Sequence, residues 1–158
     1  MELGYSESEE MLRKSARDFL EEECPKSLVR EMAEDDIGYP PKLWQEMAKL
    51  GGMGLIFPEE YNGSDGSFLD LVLLLEEMGR ALLPAPFIPT VVCGGLPILH
   101  YGSEAQKQEF LPQIAAGKLV VTPAFIAPDL SIAEAQVEEK VIAKDGAYEL
   151  SGIRLFVP

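Results

Sequence analysis

The alternation of apolar and polar positions divides the chain into two textures. Up to Gly117 apolar residues recur at the three- and four-residue spacing of helices, and from Lys118 they fall into short runs between turn residues, as in strands. The helical part is organised around Phe68 to Leu83. Apolar residues there, at 68, 69, 71 to 75, 78, 82 and 83, cover nearly every direction of a helical wheel, which predicts a central helix surrounded by protein. The charges of Asp70, Glu76, Glu77 and Arg80, and an apolar run well short of the ~20 residues a span requires, exclude a transmembrane helix. Ser67 with Asp70 marks the start, and Pro84 and Pro86 mark the stop.

Around this segment the pattern predicts further helices. Ser6 and Glu9 form a capping-box signal ahead of Leu12, Ala16, Phe19 and Leu20, an amphipathic first helix ending near Cys24-Pro25. A short helix is expected over Ser27 to Glu34. Pro40-Pro41 opens a third helix with Leu43, Trp44, Met47 and Leu50 on one face and Gly51-Gly52 at its end. Asn62-Gly63 supplies the positive φ of an exposed turn leading into the central helix. Pro84, Pro86 and Pro89 predict an extended segment before a short apolar helix over Val91 to Tyr101, broken by Gly94, Gly95 and Pro97. Ser103 with Gln106 is a second capping box, opening a helix that ends at Ala115-Ala116-Gly117.

Strands are expected over Leu119 to Ile126, Val137 to Ala143, Tyr148 to Leu150 and Arg154 to Val157, with turns at Asp145-Gly146 and Ser151-Gly152. The expected fold is mainly α: a helical domain over 1–117 followed by a short antiparallel β segment over 118–158. Three or four short strands make an incomplete sheet with open edges, which predicts that the chain is part of a larger protein or pairs that edge with another.

Composition narrows the partners. Thirteen Lys and Arg against 27 Asp and Glu give a net charge of −14, the wrong sign for neutralising phosphate, which argues against nucleic acid and anionic membrane. The acidic first residues lack the basic start and apolar core of a secretory signal, and a cytoplasmic location is expected. Cys24 and Cys93, far apart and outside any CxxC pair, fit a reducing compartment and read as packing thiols.

Residue chemistry alone nominates little. His100 is the only histidine, so a histidine-rich metal site is excluded and no metal is expected. Glu76 and Glu77 point about 100° apart on a helix, a poor acid–base pair, and Glu76 with Arg80 reads as an i, i+4 ion pair. Gly51-Gly52-Met53-Gly54 follows a helix rather than opening one, so it reads as a cap and not a phosphate cradle.

Four motifs occur in order: Leu43-Trp44-Gln45-Glu46-Met47-Ala48-Lys49-Leu50-Gly51, Pro58-Glu59-Glu60-Tyr61-Asn62-Gly63, Glu76-Glu77-Met78-Gly79-Arg80, and Tyr101-Gly102-Ser103-Glu104-Ala105-Gln106-Lys107-Gln108 with Leu111-Pro112. Together they resemble the amino-terminal half of an acyl-CoA dehydrogenase. The resemblance covers essentially the whole chain. It implies an orthogonal-type helical bundle, the beginning of a middle β-barrel domain, FAD as cofactor, an acyl-CoA substrate, an electron-transfer flavoprotein as acceptor, and a homo- or hetero-oligomer. The family's catalytic glutamate belongs to a later part of the sequence, so no catalytic residue is nominated here.

The resemblance also implies where flavin and substrate would lie. The family's flavin-contacting Thr-Glu-Pro segment matches Pro123-Ala124-Phe125-Ile126-Ala127-Pro128-Asp129, with Ile126 at the threonine and Ala127 at the glutamate. Its later Trp-Ile-Thr or Trp-Ile-Ser motif falls at Phe156-Val157-Pro158. Pro123, Phe125, Ile126, Phe156 and Pro158 are therefore the cofactor candidates. With both hydroxyls replaced, FAD binding by this chain alone is expected to be weak or absent. The segment after the central helix closes the acyl pocket in the family, which nominates Ile88, Pro89, Val91 and Val92. The alternative is a non-catalytic helical subunit or interaction module that supports a cofactor-bearing partner dehydrogenase.

Overall fold

The computed structural model describes residues 4–126, 140–144 and 146–158. The chain divides into two units, one up to Val121 and one from Thr122. The first is helical: α1 (Glu7–Glu23), α2 (Lys26–Met32), α3 (Pro41–Lys49), α4 (Phe68–Ala81), a π-helix (Ile88–Gly95), α5 (Leu96–Tyr101) and α6 (Glu104–Ala115). The second holds a two-stranded antiparallel sheet, β1 (Lys140–Lys144) with β2 (Ala147–Ser151), in the register Lys140 opposite Ser151 and Lys144 opposite Ala147. The fold is thus mainly helical with a short antiparallel β segment. No described helix is long and apolar enough to cross a membrane.

Capping sets the helix starts. Ser6, Ser67 and Ser103 each accept a hydrogen bond from the backbone N–H three residues on, and the side chains of Glu9, Asp70 and Gln106 accept the serine N–H in return. Replacing Ser103 with Ala is expected to cost ~1 kcal/mol in denaturant unfolding, because one first-turn donor of α6 then loses its partner. An unchanged unfolding midpoint would contradict that role.

One core fills the helical unit. Leu20 of α1, Leu43, Trp44 and Met47 of α3, Leu71, Leu74 and Met78 of α4, Val91 of the π-helix, and Leu111 and Ile114 of α6 meet around Met53 and Phe57. Burying each large side chain contributes roughly 1.5–3 kcal/mol, opposed by ordering of the chain. Gly117 sits at φ +65°, and its carbonyl accepts from Trp44 Nε1 at 3.0 Å and Gln45 Nε2 at 2.8 Å, tying the end of α6 to α3.

Several expectations need correction. α4 is not buried all round: Leu71, Leu73, Leu74 and Met78 are buried, whereas Phe68, Leu69 and Val72 are exposed, and the helix ends at Ala81 with Leu82 in the left-handed conformation. The stretch expected to be extended before Val91 is already helical from Ile88, because proline is tolerated in a first turn where its missing N–H has no partner to lose. Helix then continues without a break through Gly94, Gly95 and Pro97, and Pro97 falls in the first turn of α5, where proline is tolerated. At Asn62-Gly63 the left-handed residue is Asn62, at φ 62°, and Gly63 serves a different need described below.

Residues 119–126 form no strand, and of them only Ile126 makes a bridge, to Leu155 in the second unit. β1 begins at Lys140; the expected strand start at 137–139 and Asp145 lie outside the described residues. Arg154 to Val157 is not a strand either, since Phe156 takes φ 49° and interrupts the extended backbone.

Candidate functional site

The second unit brings the two nominated cofactor segments together. Leu155 N donates to Ile126 O at 2.8 Å in an antiparallel bridge, and Thr122 Oγ1 donates to Pro158 O at 2.6 Å. The five candidates therefore lie on facing stretches although some thirty residues separate the two in sequence. Phe125 is 61% and Phe156 76% exposed, so both rings are accessible. Ala127, Pro128 and Asp129, matched to the rest of the first motif, lie outside the described residues.

The donor set can be tested against FAD directly. None of Pro123, Phe125, Ile126, Phe156 and Pro158 carries a polar side-chain atom, and the two prolines lack a backbone N–H as well. The hydroxyl beside them, on Thr122, is already committed to Pro158 O. Accessible aromatic rings suit the flat face of a flavin, but these side chains offer nothing to its polar edge. The residues do not fit tight FAD binding.

The π-helix positions the acyl-pocket candidates in the helical unit. Ile88 is exposed, Pro89 and Val92 are half-buried, and Val91 is wholly buried against the core, where it faces no open space. A cavity of about 470 Å³ does occur in this unit, but between α1, α3 and α4, lined by Leu12, Phe19, Met47, Leu55, Leu74 and Met78 among others, and none of the four candidates lines it.

Two residues hold the helical unit in ways the sequence pattern does not show. Thr90 is fully buried, and its hydroxyl donates to Val121 O at 3.0 Å while accepting from Val121 N at 3.3 Å. It thereby fixes the backbone where the chain leaves the helical unit. Gly94 allows this approach, since a Cβ there would stand 2.8 Å from Val121 Cγ1. Thr90→Val keeps the shape and removes both bonds, and it is expected to cost roughly 1–3 kcal/mol because the Val121 amide is left unpaired. Hydrogen exchange at Val121 should rise in parallel; protection equal to wild type would contradict the pin. Because a threonine in an apolar run resembles any other β-branched residue, only the Val121 contact reveals its role.

Glu77 is the other. It is a wholly buried carboxylate on α4, gripped by Arg17 of α1 at 2.9 and 2.7 Å, by Arg13 at 3.2 Å, and by Arg80 at 3.4 Å. The hydrogen bond from Arg17 holds its pKa below the ordinary glutamate value, against the upward pull of burial. The expected Glu76–Arg80 pair is replaced: Glu76 bonds Arg13 at 3.3 Å and Arg80 turns to Glu77. Lys26 Nζ donates to the carbonyls of Arg80 and Ala81 at the end of α4. This cluster is an internal tie, since every charge in it has a partner within the helical unit.

Other chemistry-bearing groups are quiet. No group of three or more His, Cys, Asp or Glu among the described residues could hold a metal. Cys24 is buried and burial pushes its thiol pKa up, which makes it unreactive, and Cys93 is half-buried. His100 is exposed beside Tyr101, with ring centroids 6.2 Å apart. Tyr61, buried and donating to Glu104 at 3.0 Å, has its pKa pushed up to about 12 by burial first and by that bond second.

Residues 6–118 match the family model described as acyl-CoA dehydrogenase, N-terminal domain. The chain is 30% identical over 142 residues to acyl-CoA dehydrogenase IpdE2 of Mycolicibacterium smegmatis, covering 89% of this chain and 43% of that protein. It is also 30% identical over 156 residues to the caffeyl-CoA reductase-Etf complex subunit CarC of Acetobacterium woodii, covering 97% of this chain and 41% of that protein. Among solved structures, the acyl-CoA dehydrogenase of Bacillus anthracis complexed with FAD superimposes with a TM-score of 0.83 at 26% identity, covering 97% of this chain and 26% of that chain. The chain spans less than half the length of these relatives.

Proposed function

This chain belongs to the acyl-CoA dehydrogenase family, whose amino-terminal domain it matches over residues 6–118, and from that premise we propose that it forms the helical domain and the opening of the middle β domain of a flavin-dependent acyl-CoA dehydrogenase. The reaction proposed for the complete enzyme is α,β-dehydrogenation of an acyl-CoA thioester, with FAD as hydride acceptor and an electron-transfer flavoprotein as the next carrier. Named assembly of a relative with Etf supports the choice of carrier. The observation that supports the reading is the pair of contacts between the two nominated cofactor segments, the Ile126–Leu155 bridge and the hydrogen bond from Thr122 Oγ1 to Pro158 O.

On this reading Pro123, Phe125, Ile126, Phe156 and Pro158 flank the flavin through ring and backbone contacts, and Ile88, Pro89, Val91 and Val92 shape the acyl end of the substrate pocket, Val91 from behind as packing support. A base must stand within hydrogen-bond reach of the substrate's α proton. No carboxylate of this chain is assigned that role. The 158 residues by themselves are therefore expected to be inactive. Reduction of an artificial electron acceptor by a panel of acyl-CoAs, with FAD in excess, should equal the no-protein blank; turnover above it would overturn the assignment.

The absence of side-chain donors in the cofactor segments favours a second reading, a helical subunit that supports a cofactor-bearing partner dehydrogenase. Activity that appears only on adding a partner subunit, with the flavin bound to that partner's own residues, would select it over the first.

A further inference from the structure

We propose that Asn62 is a gated deamidation site, at which a closed loop protects the chain from a modification it could not refold around. Asn62 is the only asparagine in the sequence, and it precedes a glycine. Glycine puts no side chain beside its nitrogen, so an Asn-Gly step offers the least hindered route to a cyclic imide. In that reaction the Gly63 nitrogen gives its proton to solvent base and attacks Asn62 Cγ. The bond from Cγ to the side-chain nitrogen breaks, and ammonia leaves. Water then opens one of the two imide C–N bonds. Opening at Cγ leaves aspartate, whereas opening at the main-chain carbonyl leaves isoaspartate, whose chain runs through Cβ. No electrons are transferred, and the only co-reactant is water.

Asn62 is exposed, so access of water and base does not limit the reaction. The backbone does. Ring closure needs the Gly63 nitrogen to eclipse Cβ about the Asn62 Cα–C bond. Asn62 instead lies in the left-handed region at φ 62° and ψ 29°, which for an L-residue turns that nitrogen almost directly away from Cβ. Gly63 N also donates to Pro58 O at 3.0 Å, so the proton that must leave is held. The next three N–H groups are bound too: Ser64 N donates to Gly54 O at 3.1 Å, Asp65 N to Phe57 O at 2.9 Å and Gly66 N to Leu55 O at 2.7 Å. Rotating the peptide between Asn62 and Gly63 requires this row to open. The row cannot close again on the isoaspartyl product. That product carries an extra backbone atom ahead of Gly63, where even a single Cβ would overlap the Phe57 carbonyl, and Phe57 is wholly buried. Deamidation is thus slow while the loop is shut and irreversible in its effect once it has occurred.

Incubation of the purified chain at mildly alkaline pH, followed by peptide mass mapping, tests this. Conversion of the single asparagine exchanges an amide for an acid, and the mass gain and added negative charge are read directly. The expected rate in buffer is roughly tenfold or more below the rate in the urea-unfolded chain, because only the open fraction reacts. At urea concentrations below the unfolding transition, deamidation and hydrogen exchange at Gly63 should accelerate together. Isoaspartyl chain, separated chromatographically, should melt at a lower temperature than fresh chain. Asn62→Gly removes the amide and adopts positive φ readily, so it should lose no stability over the same incubation. Equal rates in folded and unfolded chain, an isoaspartyl product that melts like fresh protein, or the same loss of stability in Asn62→Gly would each overturn the proposal.

Discussion

Replacing Gly63 with alanine is expected to be among the most damaging single changes to the helical unit, with a loss of ~3 kcal/mol or more in denaturant unfolding. The reason is not its backbone angle, since the left-handed residue of the turn is Asn62. A Cβ on Gly63 would overlap the carbonyl group of Phe57 and stand 2.7 Å from Gly54 O. Those atoms cannot move aside. Ser64 N donates to Gly54 O at 3.1 Å and Asp65 N to Phe57 O at 2.9 Å, so the loop is laced to itself at the point of overlap, and Phe57 is wholly buried in the core. A methyl must break this lacing or shift Phe57. Gly79→Ala is the matched control, a methyl added where nothing stands within 4 Å, and it should stabilise. Equal effects of the two substitutions would contradict the argument from close approach.

The second large effect is expected at Glu77. Glu77→Ala should cost about 3 kcal/mol, because it opens a hole under α1 and strips Arg13, Arg17 and Arg80 of their shared acceptor. Glu77→Gln keeps the volume and isolates the charge. With the glutamate, folded-state pKa lies below the unfolded value of about 4.3, chiefly through the Arg17 hydrogen bond. A depressed carboxylate pKa contributes stability that is complete above the unfolded value and disappears as pH falls through the folded one. Wild type should therefore lose stability relative to Glu77→Gln on going from pH 7 to below pH 4, and the two curves should converge in acid. Parallel curves would show that folding leaves the Glu77 pKa unshifted and would contradict the role given to the Arg17 hydrogen bond.

These two residues also mark how far the sequence was legible. The helix starts were readable because a serine followed three residues later by an acid or amide is a local signal, and Ser6, Ser67 and Ser103 all act as expected. Membership of α4 in the core was readable too, but not its orientation. Apolar Phe68 and Val72 face outward and acidic Glu77 faces inward, because the arginines that neutralise Glu77 sit about sixty positions away on α1. No periodicity contains that information. The strand expected over Leu119 to Ile126 failed for a related reason: both backbone groups of Val121 are taken by Thr90, leaving them unavailable to a ladder. Gly63 read as a turn residue, whereas its need is for space against Phe57, a contact within the folded loop.

For the candidate cofactor segments, motif resemblance pointed to two stretches far apart in sequence, and the Ile126–Leu155 bridge with the Thr122–Pro158 hydrogen bond pairs them. Their chemistry was legible from residue identity alone, since proline, phenylalanine and isoleucine carry no side-chain donor in any conformation. The most direct test of the account is the flavin retained by the purified chain after incubation with excess FAD and gel filtration. Protein that elutes colourless, and that keeps more flavin once Ile126→Thr and Pro158→Ser restore hydroxyls to the facing segments, is the predicted result; stoichiometrically yellow protein from the unsubstituted chain would contradict it.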